Sequence, residues 1–158
     1  MLVSIITPMY NSEATISETI QSVIAQTYTE WEMVIVDDCS TDESASIVEK
    51  YQNIDKRIHY YKREKKSSIA SARNYAISMS TGHYLAFLDS DDLWEKDKLQ
   101  KQVSFMEKNG ASFCYSACAT IDENSNKTGK VRWVKSYADY EILLKGNFIP
   151  CLTVILEK

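Results

Sequence analysis

An α/β fold with a mostly parallel central sheet flanked by helices is predicted, and three observations predict it. Short apolar, β-branched runs alternate with segments whose apolar residues recur at helical spacing. The first runs carry no polar alternation, the habit of parallel strands buried on both faces. Two of the runs end in clustered aspartates, at Asp37-Asp38 and at Asp89-Ser90-Asp91-Asp92.

The elements follow in order. Val3 to Ile6 reads as a strand ended by Thr7-Pro8-Met9-Tyr10-Asn11. Pro8 has no N–H to donate, so it suits only the end of a central strand. A helix is expected from about Glu13, with Ile16, Ile20, Val23 and Ile24 as its apolar stripe and Asn11 or Ser12 as its cap. Glu32 to Val36 is the second strand. Ser40-Thr41-Asp42-Glu43 has the capping-box spacing, and the helix it opens turns Ile47, Val48 and Tyr51 inward. Ile58 to Tyr61 is the third strand, and Lys62 to Lys66 reads as a solvated basic loop. Ile69 to about Met79 reads as a helix with Ile69, Ala72, Ala76 and Ile77 on one side. Tyr84 to Leu88 is the next strand. Leu99, Val103 and Met106 mark a further helix stopped by Gly110. Ala111 to Ala119 reads as a strand, Asn124 to Gly129 as a turn and Val131 to Val134 as a second arm. A short helix over Tyr137 to Leu144 and a strand over Cys151 to Leu156 complete the reading.

Composition narrows the function. Eighteen Lys+Arg against 22 Asp+Glu leave a net charge of −4 over 158 residues. That balance disfavours duplex nucleic acid, which needs a basic face. It leaves room for an anionic ligand bridged by a metal. No apolar run is long enough to span a bilayer, and Met1-Leu2-Val3-Ser4 carries no basic leader. Cys39, Cys114, Cys118 and Cys151 form no CxxC pair, so they read as reduced, mostly buried thiols of a cytoplasmic protein. Four Gly, two Pro and no linker-like tract point to one domain over residues 1–158.

In open α/β sheets, ligands sit outside the carboxyl ends of the strands. Thr7 to Asn11, Asp37-Asp38 and Asp89 to Asp92 all belong at that edge. Asp89 and Asp91 alternate on an extended segment and can face one spot. Crowded carboxylates repel unless a proton or cation intervenes, and hard oxygen ligands suit Mg²⁺ or Mn²⁺. Equally, Asp91 and Asp92 can open the helix that follows. Asp38 can accept from a base or a ribose hydroxyl, or simply close a turn. Tyr10 can stack on a flat ring or be half-buried packing. Arg73, among Ala70-Ser71-Ala72-Arg73-Asn74, can grip phosphate or an aspartate, or form a surface ion pair. No dinucleotide fingerprint, P-loop or Gly-x-Ser-x-Gly elbow is present. His59 and His83 read as structural.

Four motifs stand in one order: Val3-Ser4-Ile5-Ile6-Thr7-Pro8-Met9-Tyr10-Asn11, then Val34-Ile35-Val36-Asp37-Asp38-Cys39-Ser40-Thr41-Asp42, then Ala72-Arg73-Asn74, then Tyr84-Leu85-Ala86-Phe87-Leu88-Asp89-Ser90-Asp91-Asp92. This set resembles the family 2 glycosyltransferases, inverting enzymes of the GT-A fold. The resemblance is dense over residues 3–110. It implies a nucleotide-sugar donor, often a UDP-sugar, a divalent cation (Mn²⁺ or Mg²⁺) and a saccharide or lipid-linked acceptor. By that resemblance Pro8 and Tyr10 border the base, and Asp38 accepts from its imide N–H. Arg73 lies near the diphosphate, Asp89 near the ribose and metal, and Asp91 on the metal. Peripheral attachment to the inner membrane face is compatible with such acceptors.

The chain departs from the family pattern twice. Ser68 stands where the family usually has Gly, about five residues before the arginine. The family's general base is a carboxylate in an acidic motif past a strand like Cys151 to Leu156, so it is expected beyond Lys158. The expectation is therefore a donor-binding part, shortened at its C-terminal end. A non-catalytic nucleotide-sugar-binding domain is the alternative. Two other Asp-rich classes fit poorly. Phosphatases of the haloacid dehalogenase type place Asp-x-Asp after the first strand, and receiver domains close that strand with an acidic pair. Pro8 to Asn11 hold that place here.

Overall fold

The computed structural model describes residues 1–122 and 124–158. Its strands are β1 (Val3–Met9), β2 (Trp31–Asp37), β3 (Ile58–Lys62), β4 (Tyr84–Phe87), β5 (Phe113–Cys114), β6 (Cys118–Ile121), β7 (Lys127–Arg132) and β8 (Ile155–Glu157). Six of them form a sheet in the order β3-β2-β1-β4-β8-β5. The first four are mutually parallel. β8 runs antiparallel between β4 and β5. β6 and β7 make a separate hairpin.

β1 and β2 are buried at every position, as unalternating apolar runs require. β1 extends past the expected end at Ile6 and takes in Pro8. The β4 ladder explains this. It stops where Ile6 faces Phe87, with the Leu88 N–H donating to the Ile6 carbonyl. Pro8 points to that same side two residues on, where no ladder partner needs its N–H.

The helices are α1 (Ile16–Ile24), α2 (Ser44–Ile54), α3 (Ile69–Met79), α4 (Lys98–Asn109) and α5 (Tyr140–Leu144). One face of the sheet packs Val3, Ile5, Met33 and Ile35 against Ile16, Ile20 and Val23 of α1, Val48 of α2 and Leu99, Val103 and Met106 of α4. The other face packs Ile6, Val34, Val36 and Leu85 against Ala72 and Ala76 of α3. Those small side chains let α3 lie close on the sheet. Gly110, at φ 60°, ends α4 in the left-handed region as expected.

Several local expectations are corrected. Ile24 and Ile69 are exposed rather than on a buried stripe. α1 is entered at Thr15, because the Asn11 and Ser12 side chains bond to other loops. Ser40 and Glu43 form no capping box; the Ser44 N–H opening α2 bonds Asp42 instead. Ala111 to Ala119 is no single strand, since β5 joins the main sheet while β6 leaves for the hairpin. Cys151 to Thr153 is a 3₁₀ turn before β8, with Thr153 Oγ1 donating to the Pro150 carbonyl at 2.8 Å. The four thiols are free, but Cys151 is exposed and the others are only partly covered. His59 and His83 stand 3.6 and 3.3 Å from Glu32 and Glu157, consistent with structural roles. Among the described residues, no helix is long and apolar enough to cross a membrane.

Lys98 carries a buried amine without a hydrogen-bond partner among the described residues, 4.0 Å from the centre of the Trp94 ring. Burial pushes its pKa down to about 7. The unfolded chain then holds a proton between pH 7 and the ordinary lysine range that the folded chain lacks, so stability rises with pH across that window. Lys98→Met is expected to stabilise the fold by about 2 kcal/mol at pH 6. The gain over wild type should shrink by pH 9.5 in paired thermal melts. An equal gain at both pH values would refute a charge penalty.

Candidate functional site

The strand order reverses between β1 and β4, and the crevice outside their carboxyl ends is where this topology places a ligand. Two backbone positions there are left-handed, Asn11 (φ 48°) after β1 and Cys39 (φ 69°) after β2. Asparagine tolerates this region; for Cys39 it is local strain held by the surrounding bonds.

Those bonds zip the two exit loops together. The Asn11 N–H donates to Ser40 Oγ at 3.0 Å, and the Thr41 N–H returns to Asn11 Oδ1 at 2.9 Å. The Ser12 N–H donates to Ser44 Oγ at 2.7 Å. Glu13 and Glu43 close the seam, the Glu43 N–H reaching Glu13 Oε2 at 2.9 Å. The loop after β4 is locked onto the same unit. Ser90 Oγ lies 2.8 Å from Ser12 Oγ, and the Ser90 carbonyl accepts from Thr15 and Thr19 at 2.8 and 3.0 Å.

Asp89 to Asp92 is a turn rather than an extended segment, closed by the Asp92 N–H on the Asp89 carbonyl at 3.1 Å. Buried Ser90 anchors it, and Asp89 and Asp91 both still face the crevice. The turn does not open a helix, since α4 starts only at Lys98. Burial and the neighbouring charges of Asp91 and Asp89 push the Asp92 pKa up to about 6.

The crevice is a cavity of about 630 Å³. Pro8, Tyr10, Asp38, Asp89 and Asp91 all line it, so four of the sequence-predicted stretches, counting Ile69 and Ala72 of α3, meet there. Arg73 does not face it. Its Nη2 pairs with Asp89 Oδ1 at 2.6 Å and so sets the position of that carboxylate. Its Nε is buried and has no partner among the described residues.

Asp37 and Asp38 separate in role. Asp37 turns into the protein, accepting from the Ser40 N–H and the Tyr60 hydroxyl, each at 2.7 Å. Burial and Asp37 together raise the Tyr60 pKa. Asp38 is gripped by Ser67, whose Oγ donates to Oδ1 at 2.8 Å and whose N–H donates to Oδ2 at 2.9 Å. Arg63 Nε stands 3.8 Å from Oδ1. Oδ2 keeps a lone pair for another donor.

The basic run is therefore more than a solvated loop. Lys66 Nζ sits 3.6 Å from the centre of the Tyr10 ring, a cation–π contact over one face, and both residues line the cavity. Ser68 caps α3, its Oγ accepting from the Ser71 N–H at 3.2 Å. Lys66, Ser67 and Ile69 were missed as cavity residues. The available signal was their place between a third strand and a helix, at the edge where aspartates already gathered.

Among the described residues no three His, Cys, Asp or Glu side chains converge as a closed metal cage. A cation shared with substrate phosphates needs only one or two carboxylates, and keeps waters besides. Asp91, exposed and with hard oxygens, fits that requirement, and a cation would relieve the acid crowding that adds to burial in raising the Asp92 pKa. Asp91 also borders a second cavity, of about 480 Å³, lined by Glu18, Asp92, Leu93, Arg132 and Leu152 among others.

Known proteins resemble this chain in sequence and fold. The UDP-Glc:alpha-D-GlcNAc-diphosphoundecaprenol beta-1,3-glucosyltransferase WfgD of Escherichia coli is 43% identical over 99% of this chain and 60% of its own length. The chain spans about 60% of the length of the curated relatives that it matches from end to end. The crystal structure of S. aureus TarS 1-349 in complex with UDP aligns with a TM-score of 0.68 and 36% identity, over 72% of this chain and 34% of that one. The mannosyltransferase PcManGT of Pyrobaculum calidifontis, solved with GDP-Man and Mn2+, aligns at 0.63 with 26% identity, over 76% of this chain and 35% of that one. The mixed α/β sheet is thus that of the GT-A glycosyltransferases. The family model described as glycosyl transferase family 2 matches residues 4–154, and this chain belongs to glycosyl transferase family 2.

Proposed function

We propose that residues 1–158 form one donor-binding domain of a metal-assisted, inverting glycosyltransferase. The donor is a nucleoside diphosphate sugar, UDP-linked, and the acceptor a saccharide or lipid-linked saccharide. The observation that carries this is the meeting of Pro8, Tyr10, Asp38, Asp89 and Asp91 around one cavity. The complexes of TarS with UDP and of PcManGT with GDP-Man and Mn2+ support it.

Each residue has a role in this reading. Tyr10 stacks on the base, beside Pro8, once Lys66 yields that ring face. Asp38 Oδ2 accepts the imide N–H of the base. Asp89, steadied by Arg73, approaches the ribose, and Asp91 holds the cation with the diphosphate. A divalent cation bound there supplies charge neutralisation for the departing diphosphate. The acceptor hydroxyl enters through the second cavity, because Asp91 is common to both. It attacks the anomeric carbon from the face opposite the leaving group, and its proton passes to a base. That base is expected beyond Lys158, as the family resemblance implies.

Calorimetric titration of UDP is the test. With Mn²⁺ present, binding is expected at least about tenfold tighter than in chelator, since a cation held by Asp91 would offset the charge of the diphosphate. The chain should show little sugar transfer alone. Equal affinity with and without the metal would remove the metal-assisted reading, and turnover at ordinary enzyme rates would remove the external base.

A further inference from the structure

The segment from β7 through α5 combines exposed apolar side chains with a net positive charge. α5 has five residues, Tyr140-Glu141-Ile142-Leu143-Leu144, and none is buried. A helix this short owes its stability to packing of an apolar face, and this one leaves Tyr140 77% and Leu144 67% exposed. Trp133, at 79% exposed, Val131 and Tyr137 are further uncovered apolar side chains of the same segment. The segment is not adrift. The Tyr115 hydroxyl donates to the Lys135 carbonyl at 2.8 Å, and the Tyr115 ring meets Phe148 edge-on at 6.1 Å.

Its charge also runs against the chain. Residues 127–148 hold Lys127, Lys130, Arg132, Lys135 and Lys145 against Asp139 and Glu141, in a protein of net −4. Lys127 is paired with Glu95, while no ion pair is found for the other four among the described residues. Arg132 borders the second cavity, which meets the donor cavity at Asp91.

We propose that residues 127–148 seat this protein on an anionic lipid surface, with Trp133, Tyr137, Tyr140 and Leu144 entering the headgroup layer and the four cations facing lipid phosphates. Aromatic rings and aliphatic side chains flanked by Lys and Arg are the composition of an interfacial element. Other occupants fit less well. A two-fold contact with a second copy would set this basic surface against itself. A nucleic acid would leave Leu143, Leu144 and Val131 uncovered. The inference rests in part on the lipid-linked acceptor reading, since it brings the second cavity to the surface where such an acceptor lies.

The molecule carries its own reporter. Of three tryptophans, Trp31 and Trp94 are buried and Trp133 is exposed. Vesicles containing about one-third phosphatidylglycerol are expected to shift Trp133 emission to shorter wavelength and shield it from iodide, with affinity about tenfold or more above pure phosphatidylcholine. Lys130→Glu with Lys135→Glu should lower that affinity at least about tenfold, because each cation near an anionic bilayer strengthens binding severalfold. Trp133→Ser with Tyr140→Ser should weaken it in flotation assays while leaving UDP titration and circular dichroism unchanged. No shift with either vesicle, or equal binding to both, would overturn the proposal. So would self-association that Trp133→Ser abolishes without vesicle binding, or an equal shift produced by a single-stranded oligonucleotide. Loss of UDP binding with vesicle binding intact would instead fault only the donor reading.

Discussion

Asp91→Ala is expected to abolish the Mn²⁺-dependent part of UDP binding, raising Kd in the presence of the metal by about 100-fold, or roughly 2.7 kcal/mol. The carboxylate is exposed at the junction of two cavities. It is the acid here with the fewest structural duties. Ser90, Thr15 and Thr19 fix the turn through backbone and hydroxyl contacts that alanine at position 91 leaves in place. Fold stability should therefore change by no more than about 0.5 kcal/mol. Asp89→Ala is a useful contrast, because it also strips the Arg73 guanidinium of its 2.6 Å partner. It should lower stability as well as binding. Calorimetry in Mn²⁺ and in chelator separates the two. An Asp91→Ala protein that binds UDP and Mn²⁺ as wild type does would end the metal assignment.

Gly82→Ala is expected to cost about 3 kcal/mol of stability, lowering Tm by roughly 6–12 °C. The reason is space. An added Cβ would stand 2.6 Å from Ser4 Oγ, 2.7 Å from the Ser4 nitrogen and 2.9 Å from the Leu2 carbonyl oxygen. Two of these are main-chain atoms at the head of β1. Ser4 Oγ cannot swing aside either. It donates to Glu32 Oε1 at 2.6 Å and accepts from the Gly82 N–H at 2.7 Å. Glu32 Oε1 also accepts from the Thr81 N–H at 2.6 Å, and these bonds hold its pKa below the usual carboxylate value against the opposing effect of burial. Pushing β4 away from β1 would disturb the strand that delivers Asp89. Chemical denaturation measures the loss; a change under about 1 kcal/mol would show that the backbone relaxes at little cost.

Legibility varied with how local each determinant is. The helix read from Ile69 to about Met79 matches α3, because its small and apolar residues recur at helical spacing and the chain past Met79 turns extended at Ser80. β1 and β2 were evident from continuous apolar runs. The α1 start was misplaced, because Asn11 and Ser12 are good caps locally but are claimed by Thr41 and Ser90 from distant segments. Ala111 to Ala119 looked uniform, yet its two ends pair with different sheets, a choice that pattern alone does not encode. The aspartate-lined edge was legible because strand-end position follows from topology. The Ser67 grip on Asp38 and the Lys66 cover on Tyr10 were not, since both depend on where a loop of ordinary polar composition folds back.

The placement of β8 has a consequence for biosynthesis. β3, β2, β1 and β4 can pair in turn as translation releases them, but β4 meets its other neighbour only when residues 155–157 clear the ribosome. Until then the nascent chain carries an open strand edge at Leu85 and Ala86, and β5 has nothing to join. Such an edge is sticky toward other chains, so chaperone demand during synthesis should centre on this late-closing seam.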